Sequence, residues 1–220
     1  FSISSYLYPM INLALQPSRF IDSQHLHIIR FAHLSTKGCI TQLDKVIALY
    51  YAVRDNILYD PYTLDLNPNN IKASLTLTRW RGYCIEKSMV MAAACRSLGI
   101  PARLGFANVR NHLATPKFVE KLRTDVFVFH GYVSVYVAGK WVKCTPVFNK
   151  TLCERFGVPA LDFDGLTDSI LQPYNDTGTP FMEYLTQHGE FDDLPFDLFI
   201  TELKTYYPHF FTGEEVFIEE

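Results

Sequence analysis

The stretch Arg-Trp-Arg-Gly-Tyr-Cys-Ile-Glu-Lys-Ser, residues 79–88, decides the fold because it leads directly into a strongly apolar helical segment. Residues 85–98 contain neither proline nor glycine and are rich in alanine and methionine. Gly99 supplies a left-handed C-terminal cap and Pro101 prevents continuation, so a helix is predicted to end near Leu98. Because this helix has almost no polar face, we expect it to be buried as the central helix of the domain.

Cys84 lies on the first turn of this predicted helix. Unpaired backbone N–H groups and the positive end of the helix dipole favour a thiolate over a thiol at that position. The alternative is an inert cysteine, because free cysteines are commonly small, buried apolar residues. A nucleophilic role therefore requires a second residue that can hold the proton of the thiol.

The composition predicts a globular protein with a substantial core. The chain has 220 residues, of which 48% are hydrophobic and 15% aromatic. A net charge of −3, with no basic stripe interleaved with aromatic residues, argues against a nucleic-acid partner. The sequence contains no apolar run of about 20 residues, so no membrane partner is expected. No motif indicates a cofactor or a metal site.

The cysteine pattern predicts free thiols. The chain has five cysteines, an odd number without C-x-x-C spacing, which favours neither a disulfide framework nor a zinc site. They are Cys39, Cys84, Cys95, Cys144 and Cys153. Reduced thiols fit a cytoplasmic location. Residues 1–9 lack the basic start and apolar middle of a signal peptide, and a start at Phe1 rather than Met indicates a trimmed end.

The periodicity of the chain predicts helices before the central helix and strands after it. Asp22 and Thr41 are the expected N-caps of two amphipathic helices. The predicted later elements are a strand at 102–109, a helix at 116–122, a strand at 126–137 and, after a Gly139–Lys140 loop, its antiparallel partner at 141–145. We predict one domain over residues 1–220, with a core at about 40–150 and an irregular C-terminal extension at 150–220.

His130 is the strongest candidate for the base. Histidine suits proton transfer at neutral pH, and of the seven histidines His130 alone lies in the middle of a predicted strand. A core histidine with a backbone partner is the alternative. A cysteine on a helix, then a histidine on an antiparallel strand, then a polar group on the following hairpin is the order of a Cys-His-Asn/Asp site.

Four motifs in this order resemble the transglutaminase-like superfamily. They are Gly-Tyr-Cys at 82–84, Leu-Gly-Ile-Pro-Ala-Arg at 98–103, His-Gly-Tyr-Val-Ser-Val-Tyr at 130–136, and Trp141 followed by Pro146. The resemblance implies an α+β, papain-like fold in which the central Cys-bearing helix packs on an antiparallel β-sheet that carries the histidine. Additional N-terminal helices and a C-terminal extension complete the expected architecture. Members of this superfamily include protein crosslinkers, peptidases, peptide N-glycanases and inactive relatives.

The third residue of the site departs from the family pattern. The family has an aspartate four residues after the tryptophan, whereas this chain has Thr145, which carries no charge to stabilise an imidazolium. With Gly139–Lys140 as a two-residue loop, the hairpin register places Asn149 opposite His130, where an amide can orient the ring. A turn role for Asn149 is the alternative. Another alternative is a carboxylate of the extension, either Asp164 or Asp168.

The expected activity is thiol-dependent acyl transfer or hydrolysis on a peptide or protein amide, through a Cys84 thiolate and His130. The backbone N–H of Cys84, with Trp80 nearby, is the expected oxyanion hole. Whether water or an amine accepts the acyl group stays open, as do the identity of the substrate and the oligomeric state. The alternative is a catalytically inactive protein- or peptide-binding module, which Thr145 favours.

Overall fold

A computed structural model describes residues 11–112, 116–170 and 182–212. Its helices are α1 (Leu26–Ser35), α2 (Gln42–Asn56), α3 (Ala73–Arg79), α4 (Cys84–Ser97), α5 (Pro116–Leu122), α6 (Lys150–Phe156) and α7 (Phe196–Tyr206), followed by a 3-10 turn at Pro208–Phe211. Its strands are β1 (Leu58–Tyr59), β2 (Arg81–Gly82), β3 (Ala102–Asn111), β4 (Val126–Val137), β5 (Lys140–Cys144) and β6 (Met182–Phe191). Across these described ranges, every helix is too short or too polar to cross a membrane.

Within the described ranges, the main sheet has four strands in the order β5-β4-β3-β6, and β1 pairs with β2 in a small parallel sheet. β4 and β5 are antiparallel neighbours joined by a tight hairpin. Helices and an antiparallel sheet in one chain confirm the predicted α+β fold. The part after residue 150, predicted to be irregular, contains α6, β6 and α7.

The described chain forms two compact units whose segments alternate along the sequence. The first unit takes the described parts of Phe1–Gly105, Gly131–Ile170 and Glu190–Leu194. The second takes the described parts of Phe106–His130, Leu171–Gly189 and Pro195–Glu220. Three strands change unit along their length, so neither unit is a continuous stretch of sequence.

Helix α4 is the centre of the first unit, because residues 85–96 are all buried and α1, α2 and α3 pack against it. The prediction of a buried central helix is confirmed. Three of its buried residues are nevertheless charged, and each has polar partners. Arg96 donates to the carbonyl of Ala102, while the ammonium of Lys87 donates to the carbonyls of Arg54 and Ile57 at the end of α2.

The starts of two N-terminal helices show where local capping rules hold. Thr41 caps α2 as predicted, since its hydroxyl accepts the Asp44 N–H and the Asp44 carboxylate accepts the Thr41 N–H. Asp22 was wrongly predicted to cap α1, whose N-cap is His25. The Asp22 carboxylate instead accepts the backbone N–H and the hydroxyl of Ser74, so it serves the first turn of α3.

The β4–β5 hairpin turns one residue earlier than predicted. Val137 faces Lys140, so the two loop residues are Ala138 and Gly139. Both have positive φ, 50° and 81°, as a type I′ turn requires. The prediction of a Gly139–Lys140 loop was wrong because alanine rarely adopts positive φ, and only the packed hairpin places it there.

Candidate active site

The thiol of Cys84 lies where the backbone of β4 meets the first turn of α4. The backbone N–H groups of Gly131, Ile85 and Cys84 itself lower the pKa of the thiol. The approach is close, because a Cβ at Gly131 would lie 3.2 Å from the Cα of Ile85 and 3.4 Å from the carbonyl oxygen of Cys84. Backbone groups of both the helix and the strand therefore lie close to Cys84, and the residue stays partly accessible.

The protonation state of Cys84 differs from the thiolate that the sequence predicts. Burial raises the pKa of Cys84 to about 11, and the three N–H groups, which lower it, do not offset this cost. The carboxylate of Glu86 raises the pKa further. At neutral pH the sulfur holds its proton, so the helix terminus alone does not make a thiolate here.

Glu86 fixes the loop before the thiol, and sequence reasoning missed this role. Its carboxylate accepts the backbone N–H of Tyr83 at 3.3 Å and the hydroxyl of Thr63 at 3.0 Å, and it forms an ion pair with Arg79. Burial raises the pKa of Glu86 to about 7, while Arg79 opposes the rise. The signal in the sequence was a glutamate at the third helical position, which is the capping position.

The glycine of the Gly-x-Cys motif has a steric explanation. A Cβ at Gly82 would lie 2.9 Å from Oε2 of Glu86 and 3.0 Å from Cγ2 of Thr76. Both groups belong to packed helices, so the strand that leads to Cys84 reaches its place only without a side chain at Gly82.

His130 belongs to the second unit and is 4% exposed. Its Nε2 is buried and has no hydrogen-bond partner within the described parts of the chain. Burial lowers the pKa of His130 to about 4, so the imidazole is neutral at neutral pH. Its covalent neighbour Gly131 lies close to the first turn of α4, and the Gly131 N–H lowers the pKa of the Cys84 thiol. The structure thus brings the Cys84 sulfur to the backbone that directly follows His130.

Asn149 is the N-cap of α6, and both ends of its amide have partners. Oδ1 accepts the backbone N–H of Tyr59 at 3.0 Å, and Nδ2 donates to the hydroxyl of Thr151 at 2.7 Å. The β4–β5 pairing ends at Val133 and Cys144, so the register that placed Asn149 opposite His130 was wrong. The contacts of Asn149 are those of a turn residue.

The other candidates for the third position have different surroundings. Thr145 is 2% exposed, and its hydroxyl oxygen has no partner among the residues that the structure describes. The Asp164 carboxylate accepts N–H groups of its own turn, from Leu166 and Thr167. Asp168 accepts the backbone N–H of Lys143. The two carboxylates of the extension therefore have structural partners of their own.

Trp80 ends α3 in a left-handed conformation, with φ of 51°, and is 49% exposed. Its ring packs edge-on against Phe31, with the ring centroids 6.0 Å apart. Tyr83, between Trp80 and the thiol, is buried, and burial raises its pKa. Of these two aromatic residues before Cys84, Trp80 therefore has an exposed ring and Tyr83 a buried one.

Comparison with known proteins agrees with the four motifs. Residues 29–146, more than half of the chain, match the model of the transglutaminase-like superfamily. The chain belongs to this superfamily. Membership supports a general kind of function, that of cysteine-dependent hydrolases and transferases. It also confirms the predicted resemblance, with a matched range that begins before and ends near the expected core at 40–150.

Two solved structures are similar over part of this transglutaminase-like chain. A "putative cysteine protease" from Cytophaga hutchinsonii is 23% identical with a TM-score of 0.49, over 62% of this chain and 41% of that protein. A "putative protease" from Parabacteroides distasonis is 17% identical with a TM-score of 0.41, over 57% of this chain and 24% of that protein. The chain thus spans less than half the length of each. A comparison with the curated proteins found no match.

Proposed function

We propose that this protein is a cysteine hydrolase or acyltransferase that acts on a peptide or protein amide, with Cys84 as nucleophile and His130 as its base. The observation that carries the proposal is the close approach of β4 to the first turn of α4. A Cβ at Gly131, the residue next to His130, would lie 3.2 Å from the Cα of Ile85 and 3.4 Å from the carbonyl oxygen of Cys84. The backbone N–H groups of Gly131, Ile85 and Cys84 lower the pKa of the thiol at this place. This arrangement holds a sulfur beside a strand that carries an imidazole.

The pKa values favour a reaction that starts from a neutral pair. Burial raises the pKa of Cys84 and lowers the pKa of His130, so the thiol and the imidazole are both uncharged at neutral pH. As the sulfur attacks the carbonyl carbon, its proton passes to His130. When the C–N bond breaks, His130 returns the proton to the leaving amine and a thioester remains. Water or a second amine then resolves the thioester.

The N–H groups around Cys84 also suit the charge that develops on the carbonyl oxygen. Those of Cys84 and Gly131 are fixed by the first turn of α4 and by β4, so they need no rearrangement during attack. Preorganised donors of this kind stabilise an oxyanion more than flexible side chains do. We assign the oxyanion site to these backbone groups.

A second candidate function is a catalytically inactive module that binds a protein or peptide. Thr145 favours it, because a hydroxyl stands where the family has a carboxylate and cannot stabilise an imidazolium by charge. The hydroxyl of Thr145 is buried without a partner in the described chain, so it has not acquired another structural role there.

Labelling with an electrophilic peptide separates the two functions. A peptide vinyl sulfone should modify Cys84 far faster than Cys39, a cysteine that is also partly accessible, whereas iodoacetamide reports general thiol access. His130→Ala should slow the modification of Cys84 by about 10²-fold, in the range of general-base effects. His33→Ala, which removes an exposed histidine on α1, should leave the rate unchanged. Equal labelling of Cys84 and Cys39, or no effect of His130→Ala, would favour the binding module.

A further inference from the structure

Phe129, the residue before His130, has a backbone conformation unusual for its type. Its φ is +60°, in the left-handed region, although it lies within β4. A bulky residue in this region is a steric outlier, and such outliers persist only where the surrounding structure determines them. The regular side-chain alternation of β4 is therefore interrupted one residue before His130.

Asn108 of β3 holds this conformation through a hydrogen bond. Its Oδ1 accepts the backbone N–H of Phe129 at 2.9 Å, and Asn108 is 1% exposed. A backbone N–H turned out of regular strand geometry and left unpaired in a buried place would cost free energy. The side-chain acceptor of Asn108 removes this cost in the left-handed form of Phe129 that the structure has.

Two further side chains fix the amide of Asn108 itself. Nδ2 of Asn108 donates to Oε2 of Glu202 on α7 at 3.0 Å. Nε2 of His188 on β6 lies 2.9 Å from Oδ1 of Asn108. Since one end of the amide faces a carboxylate, Oδ1 is directed toward the Phe129 N–H and not away from it.

The ring of Phe129 is held as firmly as its backbone. It is fully buried and stacks on Phe106, with the ring centroids 4.4 Å apart. The rings of His188 and Phe199 lie 4.9 Å and 5.6 Å from it. Aromatic packing on several sides keeps the ring in place, so the conformation of the Phe129 backbone decides how the chain continues to His130.

We propose that Asn108 is a positioning residue for His130, which acts by holding Phe129 in the left-handed conformation that sets the direction of the His130 side chain. The proposal rests on the proposed function only in giving His130 a catalytic role. The placement of the imidazole is a separate property, and it can be measured without substrate.

The titration of His130 tests the placement. In Asn108→Leu, which keeps a similar volume without an acceptor, Phe129 relaxes toward negative φ and the imidazole leaves its buried position. NMR titration of the His130 ring should then show its pKa rising from about 4 toward the ordinary value near 6.5. Glu202→Gln is the matched control, because a glutamine oxygen still accepts from Nδ2 of Asn108, and its His130 titration should match the wild type.

An unchanged His130 titration in folded Asn108→Leu would overturn the proposal, because a merely structural asparagine would lower stability alone. If that variant does not fold, Asn108→Ala removes the acceptor with less added bulk and is judged by the same titration. The φ of Phe129 in the wild-type protein can be measured independently, from its amide–Hα coupling together with its intraresidue amide–Hα NOE, and a negative φ there would also overturn the proposal.

The two proposals fail in different ways. If the peptide vinyl sulfone does not label wild-type Cys84 but Asn108→Leu still shifts the His130 titration, the proposed function fails and the positioning role stands. If wild-type Cys84 is labelled through His130, the lower pH limit of labelling should move up in Asn108→Leu together with the His130 titration. If Cys84 is labelled in Asn108→Leu but the lower pH limit of labelling does not move, the proposed function stands and the positioning role is overturned.

Discussion

At Cys84 and His130, burial decides protonation more than helix position does. The first turn of α4 supplies the N–H donors that the sequence predicts, yet desolvation raises the pKa of the thiol and lowers that of the imidazole. A charged pair in such surroundings would lose more hydration than the N–H groups return. We therefore expect a neutral resting pair, which the position of Cys84 in the sequence did not indicate.

The pH dependence of Cys84 labelling should reflect this neutral pair. The rate with a peptide vinyl sulfone is expected to rise as His130 loses its proton around pH 4, because imidazolium cannot accept the thiol proton. It should then stay level through neutral pH and change again only as the pH approaches the Cys84 pKa of about 11. Mass spectrometry of the labelled protein measures the rate, with circular dichroism as a control for folding. A labelling rate that instead rises about fourfold or more between pH 6 and 8 would contradict the neutral pair.

Restoring the family carboxylate tests what Thr145 changes. Thr145→Asp should speed labelling of Cys84 by about tenfold, a change that corresponds to about 1.4 kcal/mol of added imidazolium stabilisation. The same variant should be less stable to urea, because a carboxylate replaces a buried hydroxyl. Thr145→Asn introduces a side chain of the same size as aspartate but without the charge, so it should not speed the labelling of Cys84. Equal rates in the two folded variants would show that charge at this position has no role in the reaction.

At the scale of elements, the sequence predicted those whose signal is local. Helix α4 and the Thr41 cap follow from composition and capping residues that lie within the element. The start of α1 did not, because Asp22 is engaged with Ser74, 52 residues away. Strand β6 was missed because it is mostly exposed and lacks the apolar alternation of a half-buried strand.

The contact between β4 and α4 predicts the effect of a single methyl group. In Gly131→Ala the new Cβ would meet the Cα of Ile85 at 3.2 Å, and a backbone atom cannot rotate away. The strand should shift by about a few tenths of an ångström, move the Gly131 N–H away from Cys84 and slow peptide labelling. Ser134→Ala, also buried on β4, is the control and should leave labelling unchanged. Labelling of Gly131→Ala at the wild-type rate would show that the strand donor is not needed.

At the scale of the molecule, the range that matches the family leaves out residues that support the candidate site. It ends at residue 146, whereas β6 and α7 come later and supply His188 and Glu202 to the cluster around Asn108. The motifs therefore identified Cys84 and His130 as candidates. They gave no information on Asn108, because its partners lie far apart in the sequence and only the folded chain brings them together.

The C-terminal segment also binds β4 directly, through the hydroxyl of Tyr207. This hydroxyl accepts the backbone N–H of Val128 at 2.9 Å and donates to the carbonyl of Val126 at 2.6 Å. Tyr207→Phe keeps the ring but deprives both backbone groups of the hydroxyl, so the free energy of unfolding should fall by about 1–3 kcal/mol in urea titrations. Tyr206→Phe, at the more exposed neighbouring position, should have little effect.

Hydrogen exchange shows whether this loss reaches the strand that carries His130. In Tyr207→Phe the amide of Val128 should exchange faster than in the wild type, because its acceptor is gone, while amides of α4 should keep their protection. Peptide labelling of Cys84 should slow only to the extent that the loosened β4 allows His130 to move. Equal acceleration of exchange in α4 would instead mean that Tyr207 stabilises the whole molecule and not this strand.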